Sequence, residues 1–443
     1  MTGAPRGESA AGPREGAKRA RVMGMPAAAG PMESAVVIAL AEPGALPSER
    51  LAGLSLGLRA VLALQRAGLR RIVVLTALDE PLRAELDSDP RVDPCVRVAV
   101  VHELSDALMR LAEVGETALV LPAHALVSPA RIQGLREDDA QPWALRGSAD
   151  GGLFAARPEG LAALASLEGT LEARLERARD EAGFQLEAPR GWQHLALDPE
   201  GKRRAFDQLF EDCRKPVDGI VSRHLNRHVS LFVSRRIVGL PFTPNQISGL
   251  TFLFGIAAAL LTAQGGYWSF LGGALLFQLN SILDGVDGEI ARVRFEFSRL
   301  GEWIDTVCDD LSNALFYGGL AFAASRMPAP FPTLALFGWG GVALGVVTMF
   351  LYYSELLRRG SGDFYALGVG SQTEPSGPLA PIIKAISYAA KKDFFILGFV
   401  VAAAFGVLPY ALPVIFAGTV ATTFTGISLH IRRFRARDQG VQP

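Results

Sequence analysis

The second half of the chain consists mostly of long apolar segments, and no other feature restricts its possible folds as strongly. From about residue 244 onward, six segments are each near the length that a helix needs to cross a hydrocarbon core of about 30 Å, although the fifth is short. They are residues 244–263, 267–290, 300–325, 332–356, 393–408 and 411–431. The sequence therefore predicts an all-α integral membrane domain of six transmembrane helices.

Basic residues alternate between the two sides of this predicted domain. The connections between segments one and two, three and four, and five and six carry only Arg326. The opposite connections and the flanks carry Arg223, Arg227, Arg235, Arg236, Arg292, Arg294, Arg299, Arg358, Arg359, Lys384, Lys391, Lys392, Arg432, Arg433, Arg435 and Arg437. By the positive-inside rule, both termini are expected in the cytoplasm and the protein in the inner (cytoplasmic) membrane.

The rest of the chain divides by composition. The first residues are rich in Ala, Gly, Pro and Arg without the apolar core of a signal peptide, so we expect a disordered tail. An amphipathic stretch ending in Arg235-Arg236 is typical of a helix lying along a membrane surface. The predicted divisions are a tail (1–32), an α/β domain (33–214), a juxtamembrane interfacial helix (215–243), the membrane domain (244–434) and a cytoplasmic tail (435–443). The net charge of −1 indicates no nucleic-acid partner.

Strand-like and helix-like segments alternate in the first part of the chain. The predicted strands are Val36–Leu40, Ile72–Thr76, Val98–Val101, Ala118–Leu121 and Gly152–Ala156, with helices at Leu54–Ala67 and Leu104–Glu113. This alternation predicts an α/β sandwich with a mostly parallel sheet.

Four aspartates lie within or beside the apolar segments, where a carboxylate costs several kcal/mol unless something compensates it. They belong to the pattern D-x2-D-G-x2-A-R-x8-G-x3-D-x3-D, whose fixed positions are Asp284, Asp287, Gly288, Ala291, Arg292, Gly301, Asp305 and Asp309. The first two aspartates share one helix face and the last two share another. Two such helices side by side would aim four carboxylates at one point, which favours Mg²⁺ or Mn²⁺, and two ions could bridge a diphosphate.

This pattern resembles, at every fixed position, the signature of the CDP-alcohol phosphotransferases, which are integral membrane enzymes. The resemblance implies transfer of a phosphoalcohol from a CDP-alcohol to an acceptor hydroxyl with release of CMP, in phospholipid or polyol-phosphodiester synthesis. It implies that Asp284, Asp287 and Asp305 bind metal, and that Asp309 is the general base and touches a metal. The partners it implies are the CDP-alcohol, the acceptor and the lipid bilayer, and it leaves a homodimer open.

The same resemblance assigns CDP binding to Asp287, Gly288, Ala291, Arg292 and Gly301, with Asn245 as a further candidate. For Asn245, helix capping beside Pro244 is an equal alternative. Arg292 either neutralises phosphate or extends to the interface. For a phosphate on the acceptor the available cations are Arg299, Arg358, Arg359, Lys391 and Lys392, which the positive-inside pattern explains equally well. Four acids outside the fixed positions are expected to be solvated or interfacial: Glu289, Glu296, Glu302 and Asp310.

The α/β part resembles the sugar-phosphate nucleotidyltransferases (Rossmann-like) through its early helix and second strand, Leu54 to Thr76. The glycine-rich basic loop of that family is missing after the first strand, where Ala41-Glu42-Pro43-Gly44-Ala45 stands. Pro122-Ala123-His124-Ala125 stands where the family places a metal-binding aspartate. We therefore expect a degenerate nucleotidyltransferase-like domain, and a lone histidine such as His124 is more often structural than a ligand.

A nucleotidyltransferase-like domain precedes a CDP-alcohol phosphotransferase-like domain in this chain. This domain order resembles that of the bifunctional inositol-phosphate cytidylyltransferase/di-inositol-phosphate-phosphate synthases. The alternative to a degenerate first domain is therefore an active cytidylyltransferase that makes CDP-inositol or a similar CDP-polyol. A remoter alternative is a cation transporter, which would not need the glycine, alanine and arginine positions of the pattern.

Overall fold

A computed structural model of the 443-residue chain describes residues 32–438. Within that range it leaves out residues 43, 78–79, 102, 137–143, 148–151, 180–183, 187–190, 216–217, 363–366 and 368–391. The chain forms two compact units, Met1–Gln208 and Leu209–Pro443.

The first unit is built on a sheet of seven strands. The strands of the unit are β1 (Ser34–Ala39), β2 (Arg50–Leu51), β3 (Leu54–Ser55), β4 (Arg71–Thr76), β5 (Arg97–Val100), β6 (Ala118–Pro122), β7 (Ala125–Val127), β8 (Leu145–Gly147), β9 (Phe154–Ala156), β10 (Phe184–Leu186) and β11 (Gln193–Leu195). The sheet order is β10-β8-β9-β6-β1-β4-β5, and β7 pairs with β11 while β2 pairs with β3. The pairs around β1, β4 and β5 are parallel, whereas β9 runs antiparallel to both β6 and β8.

Helices connect these strands. They are α1 (Leu56–Arg66), α2 (Glu80–Ser88), α3 (Leu104–Val114), α4 (Pro129–Arg136), α5 (Pro158–Ser166), α6 (Leu171–Arg179) and α7 (Pro199–Glu211), which runs into the second unit. The central strands are continuous apolar runs because both of their faces are covered, and β6 is buried along its whole length. The predicted α/β fold with a mostly parallel sheet is confirmed.

The second unit is helical. A π-helical turn (Ser222–Asn226) leads into α8 (Arg227–Ile237), α9 (Pro244–Gln264), α10 (Tyr267–Val293), α11 (Arg299–Ser325), α12 (Phe331–Arg359), α13 (Lys392–Ala404) and α14 (Leu412–Asp438). Aromatic side chains join the middle of this bundle: Phe277 stacks on Phe316 with ring centroids 4.2 Å apart, and Phe316 on Phe399 at 5.9 Å.

Among the described residues, four helical stretches are long and apolar enough to cross a membrane: Pro244–Gln264, Tyr267–Val293, Phe331–Arg359 and Leu408–Ile431. The third predicted segment is the 27-residue helix α11, which has the length but carries the motif acids. The fifth corresponds to α13, which has 13 residues. The helical nature of this region is confirmed, and the count of six spans remains a prediction.

Candidate active site

Helices α10 and α11 bring the four motif aspartates together. Asp284 and Asp287 lie in α10, while Asp305 and Asp309 lie in α11. The charges of Asp305 and Asp309 act on Asp284, and that of Asp287 acts on Asp305. The four carboxylates are therefore near enough for their charges to act on one another, and their convergence on one point remains a prediction.

Each end of the cluster has a polar partner from another helix. Asp287 is buried, with 5% of its surface exposed, and accepts hydrogen bonds from Ser248 Oγ of α9 and from the Gly288 amide. Asp309 accepts a hydrogen bond from Lys392 Nζ, at the first residue of α13. The first contact orients a carboxylate within the bundle, and the second places a cation beside the last motif aspartate.

Two glycines of the motif permit close approach of polar side chains. A Cβ on Gly301 would lie 2.9 Å from Asn245 Oδ1, so Asn245 faces the start of α11. A Cβ on Gly288 would lie 3.3 Å from an Arg292 guanidinium nitrogen, which shows that Arg292 extends back over Gly288. These contacts bring Asn245 to Gly301 and Arg292 to Gly288, and Ala291 lies half-buried in the same turn of α10 as Arg292.

Capping of α9 is performed by Thr243 and not by Asn245. Thr243 Oγ1 accepts from the Gln246 amide at 3.3 Å, and the Gln246 side chain accepts from the Thr243 amide at 3.0 Å, which forms a capping box with Pro244 at the first helical position. The capping alternative for Asn245 is therefore wrong.

A polar cavity of about 290 Å³ opens beside the cluster. Asp284 and Asp309 line it, together with Lys392 and Asp393 from α13. Its opposite wall is the segment that precedes and begins α8, including Asp218, Ser222 and Arg227. Asp393 holds this wall, because its Oδ2 accepts from the Ser222 amide at 2.6 Å. The cavity is large enough for a small polar substrate next to the carboxylates.

The carboxylates fit a divalent cation by their chemistry, since hard cations prefer oxygen ligands. Within the described residues, no three His, Cys, Asp or Glu side chains stand ready-made at metal-ligand geometry. Asp309 is instead paired with Lys392. Metal binding would therefore require the carboxylates to adopt other side-chain conformations.

The expectation of a solvated or interfacial Glu289 is wrong. Glu289 is completely buried, and it pairs with Arg227 Nη1 at 2.8 Å while accepting from Ser230 and Ser234 at 2.7 and 2.6 Å. The other three acids differ from it: Glu302 is exposed, Glu296 pairs with Arg294, and Asp310 is half-buried and accepts from the Tyr353 hydroxyl at 2.8 Å. The helical period would have placed Glu289 on a different face of α10 from Asp287, but not shown what that face meets.

Of the candidates for an acceptor phosphate, Arg299, Arg358 and Arg359 are not among the described residues that line the cavity. Arg299 is exposed at the start of α11. Arg358 pairs with Glu355 at 3.2 Å on its own helix. Lys391 lies outside the described residues. Lys392, another of the cations expected to be available to an acceptor phosphate, lines the cavity.

In the loop after β1 of the first unit, two backbone amides of the described residues are bonded to each other's carbonyl groups. The amides of Glu42 and Ala45 donate to each other's carbonyl oxygens, at 3.1 and 3.0 Å, in a tight turn with Gly44 at φ +94°. Since these two amides are already bonded, they are unavailable to a triphosphate. His124 is buried, and that burial lowers its pKa to about 4.

Comparison with known proteins supports the resemblance read from the motif. Residues 242–424 match the family model of CDP-alcohol phosphatidyltransferase. The chain is 41% identical over 139 residues to the bifunctional IPC transferase and DIPP synthase of Thermococcus kodakarensis, a match that covers 31% of each chain. It is 42% identical over 124 residues to the protein of that name in Aquifex aeolicus, covering 28% of each. It is 26% identical to the phosphatidylinositol phosphate synthase of Mycobacteroides abscessus, over 30% of this chain and 54% of the relative.

The matched part thus spans about three tenths of the length of the first two relatives. Among solved structures, the phosphatidylinositol phosphate synthase of Mycobacterium tuberculosis with CDP-DAG bound aligns at a TM-score of 0.34 and 16% identity, covering 46% of this chain and 93% of that one. The inositol-1-phosphate CTP transferase of T. maritima aligns at 0.32 and 14%, covering 39% and 92%. Likenesses at these TM-scores carry no argument about function. The resemblance to CDP-alcohol phosphotransferases is confirmed for residues 242–424.

Proposed function

We propose that this chain, whose residues 242–424 match the CDP-alcohol phosphatidyltransferase family, transfers a phosphoalcohol group from a CDP-alcohol to an acceptor hydroxyl and releases CMP. The observation that carries the proposal is that the charges of the four motif aspartates act on one another, while Asp284 and Asp309 line one polar cavity. A membrane protein has no reason to keep four costly acids together without a charged ligand.

In the proposed reaction, the acceptor hydroxyl attacks the phosphorus that carries the alcohol. A new P–O bond forms to the acceptor, the anhydride P–O bond to CMP breaks, and CMP leaves with that electron pair. Asp309 lines the cavity and takes the hydroxyl proton as general base. Asp284, Asp287, Asp305 and Asp309 would hold Mg²⁺ or Mn²⁺, and we propose two ions. Such ions supply charge stabilisation to the diphosphate.

The CDP group is assigned to the side of the cluster formed by the motif glycines. Gly288 and Gly301 leave room for the nucleotide, Asn245 offers an amide beside Gly301, and Arg292 offers a guanidinium for phosphate. Asp287 and Ala291 complete this side. The cavity on the other side, lined by Asp284, Asp309 and Lys392, is then open to the acceptor.

The substrate class is proposed from the relatives. Two of them are named bifunctional IPC transferase and DIPP synthase, which favours an inositol-type or other polyol phosphate chemistry. A bifunctional enzyme is the second candidate on the same ground. The bonded turn at Glu42 and Ala45 argues for a first unit that has lost nucleotidyl transfer and acts as a scaffold.

The membrane arrangement is also part of the proposal. Six spans, with α11 and α13 joining the four apolar stretches, an interfacial helix at α8 and both termini in the cytoplasm agree with the distribution of basic residues. Cysteines introduced at 264–266 and 326–331 should be labelled from outside intact cells. Labelling from outside at position 360 would break this topology.

The enzymatic proposal is tested by incubating detergent-purified protein and Mg²⁺ with CDP-inositol, CDP-glycerol or CDP-diacylglycerol and candidate acceptors. CMP release that needs both the acceptor and the cation is the expected result. The Asp284→Asn variant is the matched control and should be inactive. CMP release that continues in Asp284→Asn, or in the presence of chelator, would show that the proposed site is wrong.

A further inference from the structure

A buried ion network lies directly behind the aspartate cluster. Arg227 donates from Nε and Nη2 to Asp218 at 2.9 and 3.2 Å, and from Nη1 to Glu289 at 2.8 Å. The side chains of Arg227, Asp218 and Glu289 are 11%, 9% and 0% exposed. Two further donors, Ser230 and Ser234 of α8, satisfy the remaining oxygen positions of Glu289. The network therefore joins α10 to α8 and to the segment before it.

The position of Glu289 on α10 makes this junction relevant to the cluster. At 3.6 residues per turn, Glu289 points about 200° around the helix from Asp287. Asp287 is held by Ser248 of α9, and Glu289 is held by α8. Polar contacts on two opposite faces thus hold helix α10 against rotation. One of the two residues that make these contacts, Asp287, is a proposed metal ligand.

A second observation links the network to the cluster independently of charge. A Cβ built on Gly285, the residue after Asp284, would lie 3.1 Å from Arg227 Nη1. Arg227 therefore packs on the backbone of α10 next to the first motif aspartate, and its charge also acts on Asp284. Asp218 and Glu289 both bond the guanidinium of Arg227. Arg227 therefore has little freedom to move away if residue 285 carries a larger side chain than glycine.

We infer that Glu289, with Arg227 and Asp218, is a positioning residue that sets the rotation of α10 and so the placement of Asp284 and Asp287 for metal binding. This inference rests on the proposed metal site. Groups that orient metal ligands from outside typically contribute 10- to 100-fold in metal affinity or activity. Glu289 does not touch the metal or the substrate, so its effect should appear in cation affinity.

The test measures Mn²⁺ binding to the full chain in detergent by electron paramagnetic resonance, beside the melting temperature. Glu289→Gln keeps the size and one acceptor oxygen but removes the charge, and its Mn²⁺ dissociation constant should rise about 10-fold. Gly285→Ala leaves all three charges in place and should raise the Mn²⁺ dissociation constant by a smaller factor. Glu302→Gln removes an exposed acid of α11 and should leave Mn²⁺ binding unchanged. The Arg227→Met/Glu289→Gln pair should lose no more affinity than the worse single variant, because the two residues act as one unit.

The outcomes separate positioning from simple stabilisation. If Glu289→Gln lowers the melting temperature but changes the Mn²⁺ dissociation constant less than about twofold, the inference is overturned. If Glu289→Gln does not fold, the Mn²⁺ affinity of Gly285→Ala tests the inference instead. A wild-type Mn²⁺ affinity in Gly285→Ala would then overturn the inference. A wild-type protein that binds Mn²⁺ but releases no CMP would refute the proposed function, while the binding comparison would still decide this inference.

Discussion

Lys392 Nζ donates a hydrogen bond to Oδ1 of Asp309, so the last aspartate of the motif is paired with the first residue of a helix that follows 83 positions later. The Lys392 side chain is 37% exposed and that of Asp309 26%, and both line the polar cavity. The pair orients the carboxylate proposed as general base toward the space where the acceptor would bind.

Replacing Lys392 should therefore impair catalysis. In Lys392→Gln, Asp309 loses the cation that orients it, and we expect CMP release to fall about 10-fold, which is part of the 10²–10⁴-fold that a positioned base contributes. The measurement is the steady-state rate of CMP release. Lys202→Gln, which removes a lysine paired with Glu49 in the first unit, is the control and should retain full activity. A wild-type rate in Lys392→Gln would show that the pair is dispensable.

Asp309→Asn should separate binding from transfer. If Asp309 is the base, the CDP-alcohol and the metal should still bind while transfer falls by about 10²–10⁴-fold. Calorimetric binding of the CDP-alcohol, measured beside CMP release, distinguishes the two effects. Asp305→Asn is the comparison, since a metal ligand should lose binding and rate together. Equal losses of both in Asp309→Asn would make that residue mainly a ligand.

The first unit should not synthesise a CDP-alcohol. The amides of Glu42 and Ala45 bond each other, and buried His124 follows β6 where a carboxylate would have to anchor Mg²⁺. The full-length Asp309→Asn variant, in which consumption of the product is blocked, is incubated with CTP, Mg²⁺ and inositol phosphate or other polyol phosphates. We expect no pyrophosphate. Steady release that depends on the polyol phosphate would make the chain a two-step enzyme.

His124 should make the first unit less stable in acid. Burial lowers the pKa of His124 to about 4, so the unfolded chain binds a proton in a range of pH where the folded chain does not. The contribution of the neutral, buried His124 to the free energy of unfolding is complete above pH ~6.5. This contribution is lost as the pH falls toward 4, and the loss is about 3 kcal/mol at most. Melting temperatures from pH 7 to pH 5 should fall less steeply in His124→Gln than in the wild type. The exposed His224→Gln variant is the control, and equal slopes in His124→Gln and the wild type would contradict this account.

Much of the fold was accessible from the sequence. The apolar runs of β1, β4 and β6 predicted a buried sheet because strands covered on both faces contain few polar residues. The long apolar segments likewise predicted helices for the second unit. The main differences lie at element ends and at β9, which is shorter than predicted and antiparallel to its neighbours. Strand direction depends on which strands become neighbours, and local sequence does not encode that choice.

For the site, the sequence by itself determined the four aspartates and their faces, because helical spacing is a local property that fixes which residues share a side. Only the tertiary structure decided what those faces meet. It brought Lys392 to Asp309, buried Glu289 against Arg227, and turned Asn245 toward Gly301. Each of these contacts joins separate elements, and a charge gains a partner in a low-dielectric interior only when packing delivers one. Residue type and spacing predict that a buried acid needs such a partner, but the identity of the partner comes from the packing of the helices.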